Sequence, residues 1–364
     1  MPANRSRLRV TRRNTSSSSS RATTHRKGRG RRSSGRQSKG WFRRFVGRHR
    51  GAVAVTLVVS VVAVILLLRF GGAVGGKEFV PRQYELEGAL WMGELRHDKP
   101  HGPGVMQLDD GTVLAGTWHN GVRVGVGRES DVKGRTTYIT ESGDELRLSR
   151  LKGATEGDRL GIDLSHHQRI YWGAMMIALN ADGTLSDHSQ SDHWVPVDFV
   201  IAKASEGKNV KDDLFHYHAQ MADLLCIPLG AYHVLNPKRN AQEQVDNFLK
   251  QIEEVRLSFP PVLDIEGSTR QISEEKFTKV YEPVCVEWLK EVERRTGVRP
   301  MIYCCRDFYE HYGSSSQLAS YRFWIASYGG NVSWPQGCRL RQISETGRLS
   351  GWDCPVDIDL LKKQ

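Results

Sequence analysis

The segment PPVLDIEG, residues 260–267, places Asp264 and Glu266 two positions apart directly behind an apolar run. In an extended strand, residues i and i+2 project from the same face, with Cα atoms roughly 6.5–7 Å apart. Two carboxyls held that close divide their labour, because mutual repulsion raises one until it keeps a proton near neutral pH while the other stays charged. On this logic the proton belongs to Glu266. One acid to protonate a leaving oxygen and one negative charge to stabilise a cationic centre is what glycoside hydrolysis requires. A lone D-x-E also occurs on ordinary surfaces, and its bland counterpart is a buried acid paired with Lys or Arg. The position behind Pro261–Leu263, where an unpaired carboxylate is costly, favours the chemical reading.

Other apolar runs also end in polar residues suited to acid–base work or sugar contact. GIDLSHHQ carries Asp163, GAYHVLN carries Tyr232, MIYCC carries Tyr303, FWIASYG carries Trp324 and Tyr328, and PVDIDL carries Asp357. Strands are expected at Leu160–Leu164, Phe199–Ala202, Leu229–His233, Pro261–Ile265, Met301–Cys304, Phe323–Ala326 and Val356–Leu360. Helical periodicity falls at Asp212–Leu225, Asn240–Val255 and Glu274–Thr296. This alternation predicts an α/β fold, a parallel β/α barrel over residues 159–364. In a barrel the C-terminal strand ends converge on one face, so Asp163, Asp264, Glu266 and Asp357 would meet there.

The motifs GIDLSHHQ, DFVIAKASEG, GAYHVLN, PPVLDIEG, MIYCC, FWIASYG and PVDIDL stand in the order and spacing of the glycoside hydrolase family 25 lysozymes, the Chalaropsis-type muramidases, which this chain resembles from Arg159 to Leu360. The resemblance implies a modified, TIM-like β/α barrel. It also implies hydrolysis, with retention, of the β-1,4 bond between N-acetylmuramic acid and N-acetylglucosamine in peptidoglycan. By motif, Glu266 would be the general acid/base and Asp264 would stabilise the substrate's 2-acetamido group or act directly. Asp163 and Asp357 would complete an acidic floor, and Tyr232, Tyr303, Trp324 and Tyr328 would stack on or position sugar. No cofactor and no metal is implied. Lys203 and Glu206 match a K-x-x-E-G stretch and read as structural or rim residues. Two departures stand out: Arg341, Gln342 and Ile343 replace the family's frequent Trp-Gln-Tyr, removing an aromatic wall, and a long segment from Trp172 to Trp194 could cap the cleft.

The rest of the chain concerns placement. The formal charge of +11 is concentrated at one end: residues 1–50 hold 17 Lys and Arg and no acid, leaving 35 basic against 41 acidic residues elsewhere. A general nucleic-acid-binding reading therefore loses its support, and residues 1–50 read as a disordered basic tail. A membrane span is expected at 51–69, where Gly51–Leu68 is 18 residues without a charge, about 27 Å as a helix. A cleaved signal peptide is the competing reading, weakened by an n-region far longer than usual. The charge asymmetry puts the N-terminus in the cytoplasm and everything after the span outside, in the periplasm or beyond. Six cysteines lie in that exported part, and Cys338 with Cys354 is the first disulfide to test. His166, His167, His216 and His218 lack metal-ligand spacing and read as surface or hydrogen-bonding histidines.

Between residues 84 and 140 the chain repeats every 23 residues: Trp91, Gly93, Gly102 and Gly104 are answered by Leu114, Gly116, Gly125 and Gly127, with a degraded third unit near Thr136–Thr140. One β-hairpin per repeat is expected, resembling the membrane occupation and recognition nexus repeat, with a spacer or protein-binding role. The expected partners are peptidoglycan strands, the bilayer through one helix and a protein at the repeats, with no specific nucleic acid. The contrasting function is a non-catalytic wall-glycan scaffold, and a chitin-like substrate is a third possibility.

Overall fold

The computed structural model describes residues 83–363 apart from 169, 171, 330–333 and 336. The expected basic tail and apolar span lie outside the described residues. Among those described, no helix is long and apolar enough to cross a membrane.

The repeat region is a six-stranded antiparallel meander: β1 (Gln83–Leu86), β2 (Ala89–Arg96), β3 (Lys99–Leu108), β4 (Val113–His119), β5 (Val122–Ser130) and β6 (Thr136–Ile139). The repeated glycines are there for the ring that crosses them. The Trp91 side chain lies against Gly93 and Gly104 and meets Trp118 edge-on, with centroids 4.8 Å apart. In the second repeat, where Leu114 replaces Trp91, the Arg123 side chain fills the space over Gly116 and Gly127 and donates to the Thr140 carbonyl at 2.6 Å. A Cβ at Gly104 would strike the Trp91 ring and sit 2.6 Å from the Met92 carbonyl oxygen, which cannot swing away. Gly104→Ala is therefore expected to destabilise the protein by about 1–3 kcal/mol, measured by urea unfolding; an unchanged midpoint would show that the ring is not locked over the glycine.

The second sheet closes on itself. Its eight barrel strands are β7 (Arg159–Leu164), β10 (Phe199–Glu206), β12 (Leu229–Val234), β13 (Val262–Ile265), β14 (Met301–Cys305), β15 (Arg322–Ala326), β16 (Leu340–Leu349) and β17 (Trp352–Leu361), adjacent in that order. β8 (Met176–Leu179), β9 (His193–Pro196) and the two-residue β11 (Val210–Lys211) lie outside the ring. From β7 round to β16 each strand is parallel to the next, but β17 runs antiparallel to both β16 and β7. The barrel is thus not all-parallel, as strand alternation predicts. β16 and β17 are joined by a tight turn, and a hairpin cannot connect parallel strands.

All seven expected strands form. Their near-continuous apolar runs suit strands covered on both faces, as in β10 and β12. Inward residues Phe199, Ile201, Val262, Met301 and Leu340 fill the barrel, while outward ones meet the helices. Those helices are α1 (Phe215–Leu224), α2 (Ala241–Ile252), and a third run from Glu274 to Thr296 that contains a π-helical turn at Phe277–Tyr281. The Asn240 side chain caps α2 by accepting from the Glu243 amide at 3.0 Å. The π turn precedes Pro283, which has no N–H to continue the α-helical ladder.

The Trp172–Trp194 segment forms the β8–β9 hairpin, which joins β16 through the Leu349–Ile177 pair. It does not cap the cleft. Its outer residues Ala174, Met176, Ala178 and Trp194 pack on Val126, Tyr138 and Leu146 of the repeat region. On the same face of the meander, Met92, Val105 and Ala115 merge into the main core. Close backbone approach at this seam needs small residues: a Cβ on Gly173 would lie 3.2 Å from the Gly116 carbonyl, and one on Gly351 would lie 3.1 Å from the Thr117 hydroxyl.

All six cysteines are free thiols. The expected Cys338–Cys354 bond is absent: Cys338 is buried, with its thiol 3.2 Å from the Leu340 carbonyl, whereas Cys354 is exposed.

Candidate active site

Alternation along each strand decides which side chains enter the barrel. On β13, Val262 points inward and Leu263 outward, so Asp264 and then Glu266 follow on the inner side. The register sets Asp264 beside Tyr303, and the antiparallel pairing of β17 with β7 sets Asp357 opposite Asp163. Asp357 thus reaches the same mouth as the other acids from the opposite chain direction. These residues surround a cavity of about 280 Å³ lined by Asp163, Tyr232, Asp264, Ile265, Glu266, Gly267, Tyr303, Cys305, Trp324, Gln342 and Asp357.

Seven of the eight expected site residues therefore share one cavity. The eighth, Tyr328, is at its rim, 46% exposed, with its hydroxyl 2.8 Å from Gln342 Oε1. Trp324 is not the open stacking platform that its motif suggests. It is 1% exposed, meets Tyr303 edge-on at 4.4 Å and donates its indole N–H to Asp359 at 2.8 Å. It is part of the floor.

Two residues unmarked in the sequence organise the site. Gln342 accepts from both Tyr303 and Tyr328 hydroxyls at Oε1, at 2.9 and 2.8 Å, and donates from Nε2 to Asp163 Oδ2 at 2.8 Å. Its neighbours Arg341 and Ile343 do not line the cavity, and the Arg341 guanidinium lies 5.0 Å from the Trp334 ring centroid. The departure from Trp-Gln-Tyr therefore leaves the cavity wall unchanged at those two positions. Asp359, fully buried, is the other residue. Its signal was its spacing from Asp357, i and i+2 on the last strand, the same spacing that drew attention to Asp264 and Glu266.

Burial governs the electrostatics of the acid group. Burial, then Glu266 and Asp163, push Asp264 well above the ordinary carboxyl range, against a lowering influence from Lys203. Burial and neighbouring acids likewise raise Asp163 and Asp359, and burial with Glu345 raises Asp357 to about 6. Glu266, in contrast, is exposed. Lys203 is nearly buried and pairs with Glu206 at 2.7 Å, adding one cation beside the acid group.

A carboxyl whose pKa is higher in the folded than in the unfolded protein supports folding below its unfolded value, and that support is lost as pH rises through its folded value. For Asp357 the window runs from 3.8 to about 6. Carboxyls with lowered values, including Asp131, Asp182 and Glu291, lose their contribution only in more acid solution. Buried His218 and His233, lowered from 6.5 to about 3, act in the opposite sense below their ordinary value. Tm is therefore expected to fall between about pH 6.5 and about pH 8; calorimetry showing a rise over that interval would contradict the burial of these acids.

The histidines serve packing. Buried His218 accepts from the Trp172 indole at 3.1 Å, and burial lowers its pKa to about 3. His166 pairs with Asp212 at 2.9 Å. Among the described residues, no group of three His, Cys, Asp or Glu could hold a metal ion.

A closed barrel with acids gathered at one mouth is an architecture suited to hydrolysing glycosidic bonds, and the sequence comparisons agree. The profile of glycosyl hydrolases family 25 matches residues 162–352, more than half of the chain, and the chain belongs to that family. It is a glycoside hydrolase. The repeat profile matches residues 91–113 and 115–134. The chain is 30% identical over 207 residues to the uncharacterized protein YegX of Escherichia coli O6:H1, covering 55% of this chain and 68% of that one. Similar solved structures include a bacterial lysozyme from Streptomyces coelicolor, 24% identical with a TM-score of 0.44, covering 58% of this chain and 94% of that one. A family 25 glycosyl hydrolase from Bacillus anthracis is 17% identical with a TM-score of 0.44, covering 58% of this chain and 96% of that one.

Proposed function

We propose that the chain is a peptidoglycan muramidase that cleaves the β-1,4 bond between N-acetylmuramic acid and N-acetylglucosamine with retention. The observation that carries this reading is the convergence of Asp163, Asp264, Glu266 and Asp357, with Tyr232 and Tyr303, on one cavity in a family 25 barrel. Glu266, exposed at the mouth, donates its proton to the leaving oxygen as the C1–O bond breaks. The acetamido carbonyl oxygen of the muramic acid attacks C1 from the opposite face, and buried Asp264 orients that group and stabilises its developing positive charge. Water then opens the cyclic intermediate, giving its proton to the Glu266 carboxylate and restoring the first state. Asp163 and Asp357 supply the negative floor, while Tyr303 and Tyr328 hold Gln342 against Asp163.

The basic tail and the apolar run at 51–69 support a single-pass anchor that leaves the barrel on the outer side of the membrane, facing the wall. The test is reducing-end release by the purified full-length chain from peptidoglycan and from chitin oligomers. Cleavage of peptidoglycan alone is expected. Cleavage of chitin alone would move the substrate class, and binding to wall glycan without cleavage would make the protein a scaffold.

A further inference from the structure

Beneath the cavity, β17 carries a second inward acid. The register that sets Asp357 opposite Asp163 sets Asp359 opposite Gly161 and beside Gln342, one layer deeper. The Phe199 ring packs over Gly161, and Asp359 is 0% exposed. Its Oδ1 accepts the Trp324 indole N–H at 2.8 Å. Its Oδ2 is buried without a conventional donor and turns toward Asp163, the two carboxyls interacting side chain to side chain. Asp163 is meanwhile bound at Oδ2 by the Gln342 amide.

Two carboxyls in contact, with no cation among the main influences on either, cannot both stay ionised. One proton must lie between them. The Gln342 N–H already satisfies Asp163 as an anion, whereas Asp359 Oδ2 receives no such donor. We propose that Asp359 is a positioning residue, a neutral carboxyl that donates its O–H to Asp163 and, together with Gln342, fixes that carboxylate at the cavity floor. The inference rests on the reading of Asp163 as part of the glycan-cleaving site.

Asparagine can reproduce this arrangement, with its carbonyl accepting from Trp324 and its amide N–H donating to Asp163; leucine can do neither. In the full-length protein, Asp359→Leu is expected to lower kcat on peptidoglycan about 10- to 100-fold, and Asp359→Asn to recover it to within about threefold of the parent. Equal loss in both variants overturns the proposal, since Asp359 would then be needed as an anion. The infrared difference spectrum between Asp359→Asn and the parent at neutral pH decides the protonation without reference to activity. Loss of a protonated-carboxyl C=O band is expected, and loss of a carboxylate band overturns the proposal. A parent inactive on every glycan would defeat the proposed function, whereas the spectrum would still report the state of Asp359.

Discussion

Glu266→Gln is expected to lower kcat for reducing-end release from peptidoglycan by about 100- to 10,000-fold, with KM within about threefold of the parent value. The split follows from position. Glu266 stands at the exposed end of β13, past Asp264, where a sugar oxygen can reach it, and it closes no hydrogen bond on which the barrel depends. Glutamine keeps the shape and the capacity to contact the bound glycan but has no proton to give a departing oxygen. The loss should therefore fall in the transition state rather than in binding. The variant should also unfold with the parent, because no buried partner is left unsatisfied. Activity retained within about tenfold would move the general acid elsewhere, and buried Asp264 would be the next residue to test.

Much of the barrel was legible because parallel strands buried on both faces leave continuous apolar runs, and these runs end where the acids begin. The meeting of Asp163, Asp264 and Glu266 follows from that pattern, since the C-terminal ends of parallel strands converge in a closed barrel, whereas Asp357 joins them because β17 runs antiparallel. The layer below was not legible. The link between Asp359, Asp163 and Gln342 depends on β17 running antiparallel and on one register against β7, and a six-residue motif specifies neither. Trp324 was misjudged for the same reason, because an inward aromatic near a strand end can lie in the wall or one layer beneath it. Spacing likewise shows that two acids repel but not which of them is buried. Burial at Asp264 outweighs symmetry with Glu266.

The repeats illustrate a different limit. Their 23-residue period predicted hairpins, and the six-stranded meander follows. What the period could not show is the close seam along β4, where Gly116 and Thr117 meet Gly173 and Gly351. Through β8 and the β16–β17 turn this seam reaches the strands that carry Gln342 and Asp357. The Ser350 amide donates to the Met176 carbonyl at 2.8 Å and ties β8 to the β16–β17 turn. The meander is thus built against the hairpin that completes the acid floor, and it is more than a spacer hung before the barrel.

Asp264→Asn is expected to move activity and stability in opposite directions. Asp264 is 6% exposed, its Oδ1 has no hydrogen-bond partner, and Glu266 and Asp163 both oppose its ionisation, with Lys203 the one favourable charge among the main influences. Keeping a carboxylate ready in that place works against the fold whenever the solution pH favours the charged form. Asparagine fills the same volume, removes the buried charge and relieves the repulsion. A rise in Tm of a few degrees is expected near neutral pH, shrinking as the pH falls and the parent's own acid takes up its proton. The same change removes the negative charge that would orient and stabilise the acetamido group. Accordingly, kcat is expected to fall about 100- to 1,000-fold. Paired calorimetry and kinetics decide the matter: a variant less stable than the parent at neutral pH would mean that the Asp264 carboxylate is satisfied rather than strained, and full activity would remove it from the chemistry.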